Sequence, residues 1–304
     1  MAFAAFGPSQ PVVAGSGKKS GPIVLALLLP GIIYLGLFFL TPLISLIVTA
    51  VEVPDSSGAI GAYNYGFDIS NFGYVAVHYF QQIIRSFLYA TIATVLALVI
   101  SYPLAYFIGV RMRRFAVLQR ILVTLVIAPF FISFLLRTLA WKQLLADHSW
   151  AIETLKSLHL MGANDYFIGT PGSVIFGLTY NFIPFMTLPL YTTLERLDVR
   201  LLEAGSDLYA NPRHVFTRIT LPITMPGIIS GTLLTFIPIS GDYVNASANY
   251  LGSSKTSMIG NMVEADFLQN LQYPSAAALS VLFMAVILVL VWVYVKRSGT
   301  EDLL

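Results

Sequence analysis

The chain contains no cysteine, which removes disulfides, thiolate metal sites and cysteine nucleophiles together. Charge is also scarce. Asp, Glu, Lys and Arg make up 11% of its 304 residues, against about a quarter in a soluble globular protein. The four histidines, His78, His148, His159 and His214, show no metal-ligand spacing and read as loop residues. No phosphate-binding Gly-x-x-x-x-Gly-Lys-Ser/Thr run occurs; Gly15-Ser-Gly-Lys18 is a fragment of one and follows no strand. Nothing here predicts that the chain binds ATP, a metal or another cofactor. A net charge of +2 is too small to suggest nucleic acid as a partner.

What is abundant is apolar. Hydrophobic residues account for 57% of the chain and the mean hydropathy is +0.77. One aqueous core cannot hide that much apolar surface, so the bilayer is the natural solvent. A spanning helix needs roughly 20 apolar residues. Six segments qualify, at about 23–50, 86–110, 118–140, 171–194, 222–240 and 275–295. The predicted fold class is therefore all-α, a polytopic membrane protein with six transmembrane helices. Residues 1–20 form a small, polar tail ending near Lys18-Lys19, 21–297 the membrane domain, and 298–304 a second tail. The run from Ile23 to Ala50 is too long for a signal-peptide core and reads as a retained anchor. Prolines 30, 42, 184 and 189 interrupt the first and fourth spans, where neighbouring helices can satisfy the freed carbonyls and leave kinks. The fifth, with Pro222, Pro226 and Pro238, is the least regular.

Orientation follows from the basic residues near the span ends. Of the 17 lysines and arginines, twelve fall near the two ends of the membrane domain and in or beside the loops at about 111–117 and 195–221. The other five are Arg85, Arg137, Lys142, Lys156 and Lys255. Both termini and those two loops are thus expected in the cytoplasm. The segments at about 51–85, 141–170 and 241–274 face out. The first reads as an ordered loop with little regular structure. The second carries a weak amphipathic pattern (Leu144, Leu145, Ile152, Leu155, Leu158) that suits a helix on the membrane surface or one packed on the bundle.

The most informative stretch runs from Asp198 to Ile228. Asp198 is a good helix N-cap, and residues 199–208 can make nearly three turns with Leu201, Gly205 and Leu208 on one face. Asn211-Pro212 is a second start signal, a capping residue before proline at the first helical position. The loop is therefore two short helices joined by a bend at Tyr209-Ala210, and Pro222 and Pro226-Gly227 mark the approach to the next span.

This pattern resembles the EAA loop of ABC importer permeases: Glu-Ala-Ala, three residues, Gly, nine residues, Ile-x-Leu-Pro, then Pro-Gly-Ile. Glu203, Ala204, Ile219, Leu221, Pro222, Pro226, Gly227 and Ile228 match at the expected spacing. Two positions depart. Gly205 stands where the family has Ala, and Tyr209 where it has its central Gly. A glycine there permits φ > 0; a tyrosine either keeps the bend in an ordinary region or is strained. The resemblance implies that the loop, with Leu201, Glu203, Asp207, Leu208, Tyr209 and Ala210 among its residues, docks into a groove on a nucleotide-binding subunit. It covers about residues 23–297. Within it, 236–244 and 255–261 look like the first permease subunit of spermidine/putrescine importers; permeases for ferric ion, thiamine and phosphonates share parts of both. It also implies the partners: a second permease of similar fold, two copies of an ABC ATPase on which ATP and Mg act, and an extracytoplasmic binding protein. The chain itself would not be catalytic, and would sit in the bacterial cytoplasmic membrane.

Four residues are candidates for the substrate pathway. Asp242 follows the fifth span beside Tyr243, and an acid near membrane depth is expensive unless it faces water or a partner. A carboxylate beside an aromatic ring offers a polyamine a salt bridge and a cation–π contact. The alternative is that Asp242 turns the chain after Gly241. Glu264 and Asp266 add negative charge to an outer mouth or lie on a solvated loop. A stand-alone secondary transporter would want ionisable residues in mid-span, and an intramembrane enzyme a nucleophile–base pair; the spans offer neither.

Overall fold

The computed structural model describes residues 21–162, 164–207 and 211–297. The tails at 1–20 and 298–304, and the bend at Leu208, Tyr209 and Ala210, lie outside the described residues.

The chain divides into two units, meeting at Leu46–Ile47. The first is helical: α1 (Gly21–Leu35) passes through a π-helical turn (Gly36–Leu40) into α2 (Thr41–Thr49). Its apolar stretch Ala26–Thr49 has 24 residues, about 36 Å at 1.5 Å per residue, enough for a hydrocarbon core of about 30 Å. The π turn has a local cause. Pro42 has no N–H, and its ring would clash with the carbonyl four residues back. Instead the Thr41 N–H reaches five residues back to the Gly36 carbonyl, which widens the helix just before the proline.

The second unit takes in the last residues of α2, followed by a short antiparallel pair, β1 (Val53–Pro54) and β2 (Tyr63–Asn64), with Val53 opposite Asn64. Helices α3 (Ser70–His78) and α4 (Phe80–Tyr106) follow, and α4 runs on through a π turn at Phe107–Arg111. This corrects two expectations: the 51–85 segment contains a helix and a strand pair, and the second span begins at Phe80. Next come α5 (Ala116–Ile127), a 3-10 turn at Ala128–Phe131, and α6 (Phe134–Leu144). The third span is not straight. Ala116–Phe131 and Phe134–Leu144 meet at 93°, where Pro129 opens the 3-10 turn and Ile132 becomes extended. Helix α7 (Trp150–Ser157) has Ser149 as its N-cap, and buries Ile152 while exposing Trp150. Helix α8 (Pro171–Arg196) stays a single helix through Pro184 and Pro189. Then come α9 (Val199–Asp207), α10 (Pro212–Val215), a π turn at Phe216–Thr220, α11 (Leu221–Ile223) and α12 (Met225–Ser240). The chain bends 65° between 212–223 and 225–240, and α12 begins just past the bend at Met225. Helices α13 (Ile259–Leu268) and α14 (Tyr273–Arg297) end the described chain. Among the described residues, four helices are long and apolar enough to cross a membrane, and up to six spans result when each bent pair counts as one.

The core of this unit is where α4, α8 and α12 pack. In lipid, helices gain little from hydrophobic association, and close packing of small residues takes its place. Helix α4 presents such a face: Ser86, Ala90, Ala93, Ala97, Ser101 and Ala105, all buried at spacings of three and four. Against it α8 sets Leu178, Phe182, Met186, Leu190 and Leu194. Gly227 brings α12 in equally close. A Cβ there would fall 3.0 Å from the Pro189 carbonyl oxygen and nearer still to Thr193.

Candidate functional site

The helical hairpin at 198–223 is built as its sequence signals require. The Asp198 carboxylate accepts the Arg200 N–H at 3.0 Å and its carbonyl the Leu201 N–H at 3.1 Å. Asn211 Oδ1 accepts the Arg213 N–H at 3.1 Å, with Pro212 at the first helical position. Each side chain thereby satisfies one amide that a helix start leaves without an internal partner.

Gly205 is buried, and a Cβ there would lie 3.0 Å from Ile219 Cδ1 and 3.2 Å from Val215 Cγ2. It is the point where α9 rests on the second half of the hairpin. Leu201, one turn earlier, is 46% exposed. Glu203, Ala204 and Asp207 are also exposed, as are Pro222 and Pro226. The result is a hairpin braced at Gly205, with a mixed apolar and acidic exposed face. Leu208, Tyr209 and Ala210, expected to complete it, lie outside the described residues.

At the opposite end of α12 the four pathway candidates separate into two kinds. Asp242 is 7% exposed, and both its oxygens are occupied. They accept the Asn245 backbone N–H at 2.7 Å and Asn245 Nδ2 at 3.1 Å. Asn245 Oδ1 accepts Asn181 Nδ2 at 3.1 Å, and the same amide lies 3.1 Å from Thr138 Oγ1. Asp242 thus closes the turn after α12 and heads a buried polar chain reaching α8 and α6. Burial pushes its carboxyl up to about 6, against the pull of the Asn245 hydrogen bonds. Asp266 is 1% exposed, not on a solvated loop. It accepts the Tyr79 hydroxyl at 2.7 Å and Asn270 Nδ2 at 3.0 Å, tying α13 to the α3–α4 junction.

Tyr243 and Glu264 do reach a surface. They line a groove of about 520 Å³ with Val263, Phe267 and Phe283. Tyr243 is half exposed, and its carbonyl is held by Asn261 Nδ2. The phrase 255–261 builds one wall. Asn261 Oδ1 accepts the Met258 N–H at 3.0 Å to start α13, and Ser86 Oγ accepts the Ile259 N–H at 2.7 Å. Sequence reasoning missed Asn181, Asn245 and Thr138, because neutral polar residues inside apolar runs carry no spacing signal. Among the described residues no cluster of His, Asp and Glu could hold a metal.

Residues 101–296 match the family model described as the binding-protein-dependent transport system inner membrane component. The chain is 36% identical over 220 residues to the spermidine/putrescine transport system permease protein PotB of Escherichia coli K12, covering 72% of this chain and 78% of that one. With its Haemophilus influenzae counterpart it is 33% identical over 268 residues, 88% of this chain and 92% of that one. Among solved structures, a bacterial ABC transporter importing the acidic polysaccharide alginate superposes with a TM-score of 0.66. The identity is 20%, and the match covers 92% of this chain and 96% of that chain, a likeness in fold. The chain belongs to the inner-membrane components of binding-protein-dependent transport systems, and is a permease subunit of an ABC importer.

Proposed function

We propose that this permease carries polyamines of the spermidine and putrescine class across the bacterial inner membrane. It does so as one of two paired permeases, with two copies of an ABC ATPase and an extracytoplasmic binding protein. ATP and Mg act on the ATPase; this subunit is not catalytic and binds no cofactor. The likeness to spermidine/putrescine permeases over most of the chain carries the substrate reading. The chemistry of the groove agrees with it. Glu264 supplies a carboxylate for an ammonium, and Tyr243, Phe267 and Phe283 supply ring faces for its methylene flanks. Asp242 and Asp266 act from inside, holding the turn and the helix that present Tyr243 and Glu264.

The hairpin at 198–223 docks on the ATPase through Leu201, Glu203, Ala204 and Asp207; Leu208, Tyr209 and Ala210 are assigned to the same docking segment on their sequence alone. The hairpin's bracing at Gly205 and its exposed face support that role. The excess of Lys and Arg on the hairpin side supports a cytoplasmic position for it and for both termini.

The test is the purified complex in lipid vesicles, with ATP hydrolysis measured against a panel of solutes presented on the binding protein. Spermidine or putrescine should stimulate hydrolysis, and ferric ion, thiamine and phosphonate should not. Stimulation by one of those three, with none by polyamines, overturns the substrate and leaves the permease assignment standing.

A further inference from the structure

The hairpin is gripped on both sides by one helix. On its upstream side, Arg113, just past α4, donates to the carbonyls that end α8. Nη1 bonds Leu197 O at 2.9 Å, and Nη2 bonds Leu194 O at 3.1 Å and also Glu195 O. These lie at the C-terminal end of a helix, where carbonyls carry partial negative charge; Leu194 O also accepts the Leu197 N–H at 3.3 Å, and a guanidinium is well matched to them. One turn earlier, Gly109 lets the two backbones meet. A Cβ there would sit 3.3 Å from both the Glu195 nitrogen and Leu194 Cβ.

On the downstream side, Tyr102 of α4 reaches the other strand of the hairpin. Its hydroxyl lies 2.9 Å from Thr224 Oγ1, both residues buried. Its ring meets Phe216 edge-on at 5.5 Å. Thr224 occupies the 65° bend between 212–223 and 225–240, and its own hydroxyl bonds Thr220 O at 2.9 Å. Tyr102 lies in α4, Gly109 in the π turn that continues it, and Arg113 in the turn just beyond, so all three contacts come from the end of this one element. The same helix then runs the length of the core against α8, its buried small residues in close contact. An interior packed this closely transmits displacement instead of absorbing it.

We propose that Arg113 and Tyr102 are positioning residues for coupling. They clamp the two flanks of the hairpin to α4, so that displacement of the hairpin moves the second span as a lever and reaches the far end of the bundle. This rests on the reading that the hairpin docks on the ATPase. Without the clamp the hairpin still docks, but its movement is spent locally.

The test uses the full complex, with permeases, ATPase and binding protein, in vesicles. It compares Arg113→Ala, Arg113→Lys and Tyr102→Phe with the unaltered chain. Three quantities are read: ATPase retained on purification, ATP hydrolysed, and spermidine transported per ATP. Arg113→Ala should retain the ATPase and lower transport per ATP by about five- to tenfold, the lower range of typical coupling factors. Arg113→Lys should recover part of that loss, because an ammonium is a point donor and cannot span carbonyls as a planar fork does. Tyr102→Phe keeps the ring on Phe216, removes only the hydroxyl, and should lower the ratio about threefold, roughly one net hydrogen bond. An unchanged ratio in Arg113→Ala and Tyr102→Phe overturns the proposal, as does a parallel fall of hydrolysis and transport. If Arg113→Ala fails to assemble, Arg113→Lys and Tyr102→Phe decide by the same ratio. Loss of ATPase binding in Glu203→Lys bears on docking alone, so the two readings fail separately.

Discussion

A β-carbon on Gly205 would lie 3.0 Å from Cδ1 of Ile219, so α9 and the second half of the hairpin touch at a residue without a side chain. Ile219 Cδ1 is the free end of a flexible side chain and can move by a few tenths of an ångström. Gly205→Ala should therefore keep transport within about twofold of normal, helped by the better helix propensity of alanine. Gly205→Val adds two branches where Val215 Cγ2 already stands 3.2 Å away. Overpacking of this kind costs about 1–3 kcal/mol, and should splay the hairpin and lower the retained ATPase severalfold on co-purification.

Glu203 is exposed on the hairpin. Glu203→Lys should leave membrane insertion and pairing of the permeases intact while lowering uptake more than about tenfold. Reversing one charge of a desolvated interface pair costs several kcal/mol. Normal uptake with the ATPase still bound would remove the hairpin from the coupling role.

Asp242 and Tyr243 are adjacent in sequence and should fail in different ways. Asp242→Ala leaves the buried Asn245 amide without its acceptor and should lower stability by about 1–3 kcal/mol, read as a fall in the thermal midpoint of the purified complex. Tyr243→Ala and Glu264→Gln, on the open groove, should leave that midpoint nearly unchanged. They should weaken polyamine uptake by up to about tenfold, a loss of about 1.4 kcal/mol on the affected step. An unchanged uptake in both groove variants would remove the groove from the pathway.

Because the chain has no cysteine, each introduced one is unique. Single cysteines at Tyr63, Lys156 and Ser254 should react with an impermeant reagent from outside the cell. Those at Arg114 and Arg213 should react only after the membrane is opened. Labelling of Ser254 from the inside alone would mean that α12, with its 16 residues, does not carry the chain across.

The hairpin was legible because its signals are local. Asp198 and Asn211 cap the helices they precede, and the spacing from Glu203 to Ile228 is fixed along one segment. The spans were legible from apolar length, but their bends were not: the 93° turn near Pro129 and the 65° turn at Thr224 depend on packing that hydropathy does not report. Asp242 and Glu264 are both acids beyond a span, and sequence alone could not sort them. What separates them is whether a neighbour such as Asn245 fills the carboxylate, a contact the fold makes by closing a turn. Arg113 was read only as one of the basic residues that orient the chain. Its bonds to 194, 195 and 197 join segments about eighty residues apart, beyond any local pattern.

The central claim is that this chain passes polyamines through a pathway driven by ATP on a partner subunit. The most direct measurement is entry of labelled spermidine into vesicles bearing the whole complex. The binding protein is supplied on the outer side, and ATP with Mg on the ATPase side. Uptake should require ATP and binding protein and persist when ionophores collapse all ion gradients. Uptake driven by a gradient without ATP, or no spermidine entry while ATP hydrolysis responds to a different solute, would contradict it.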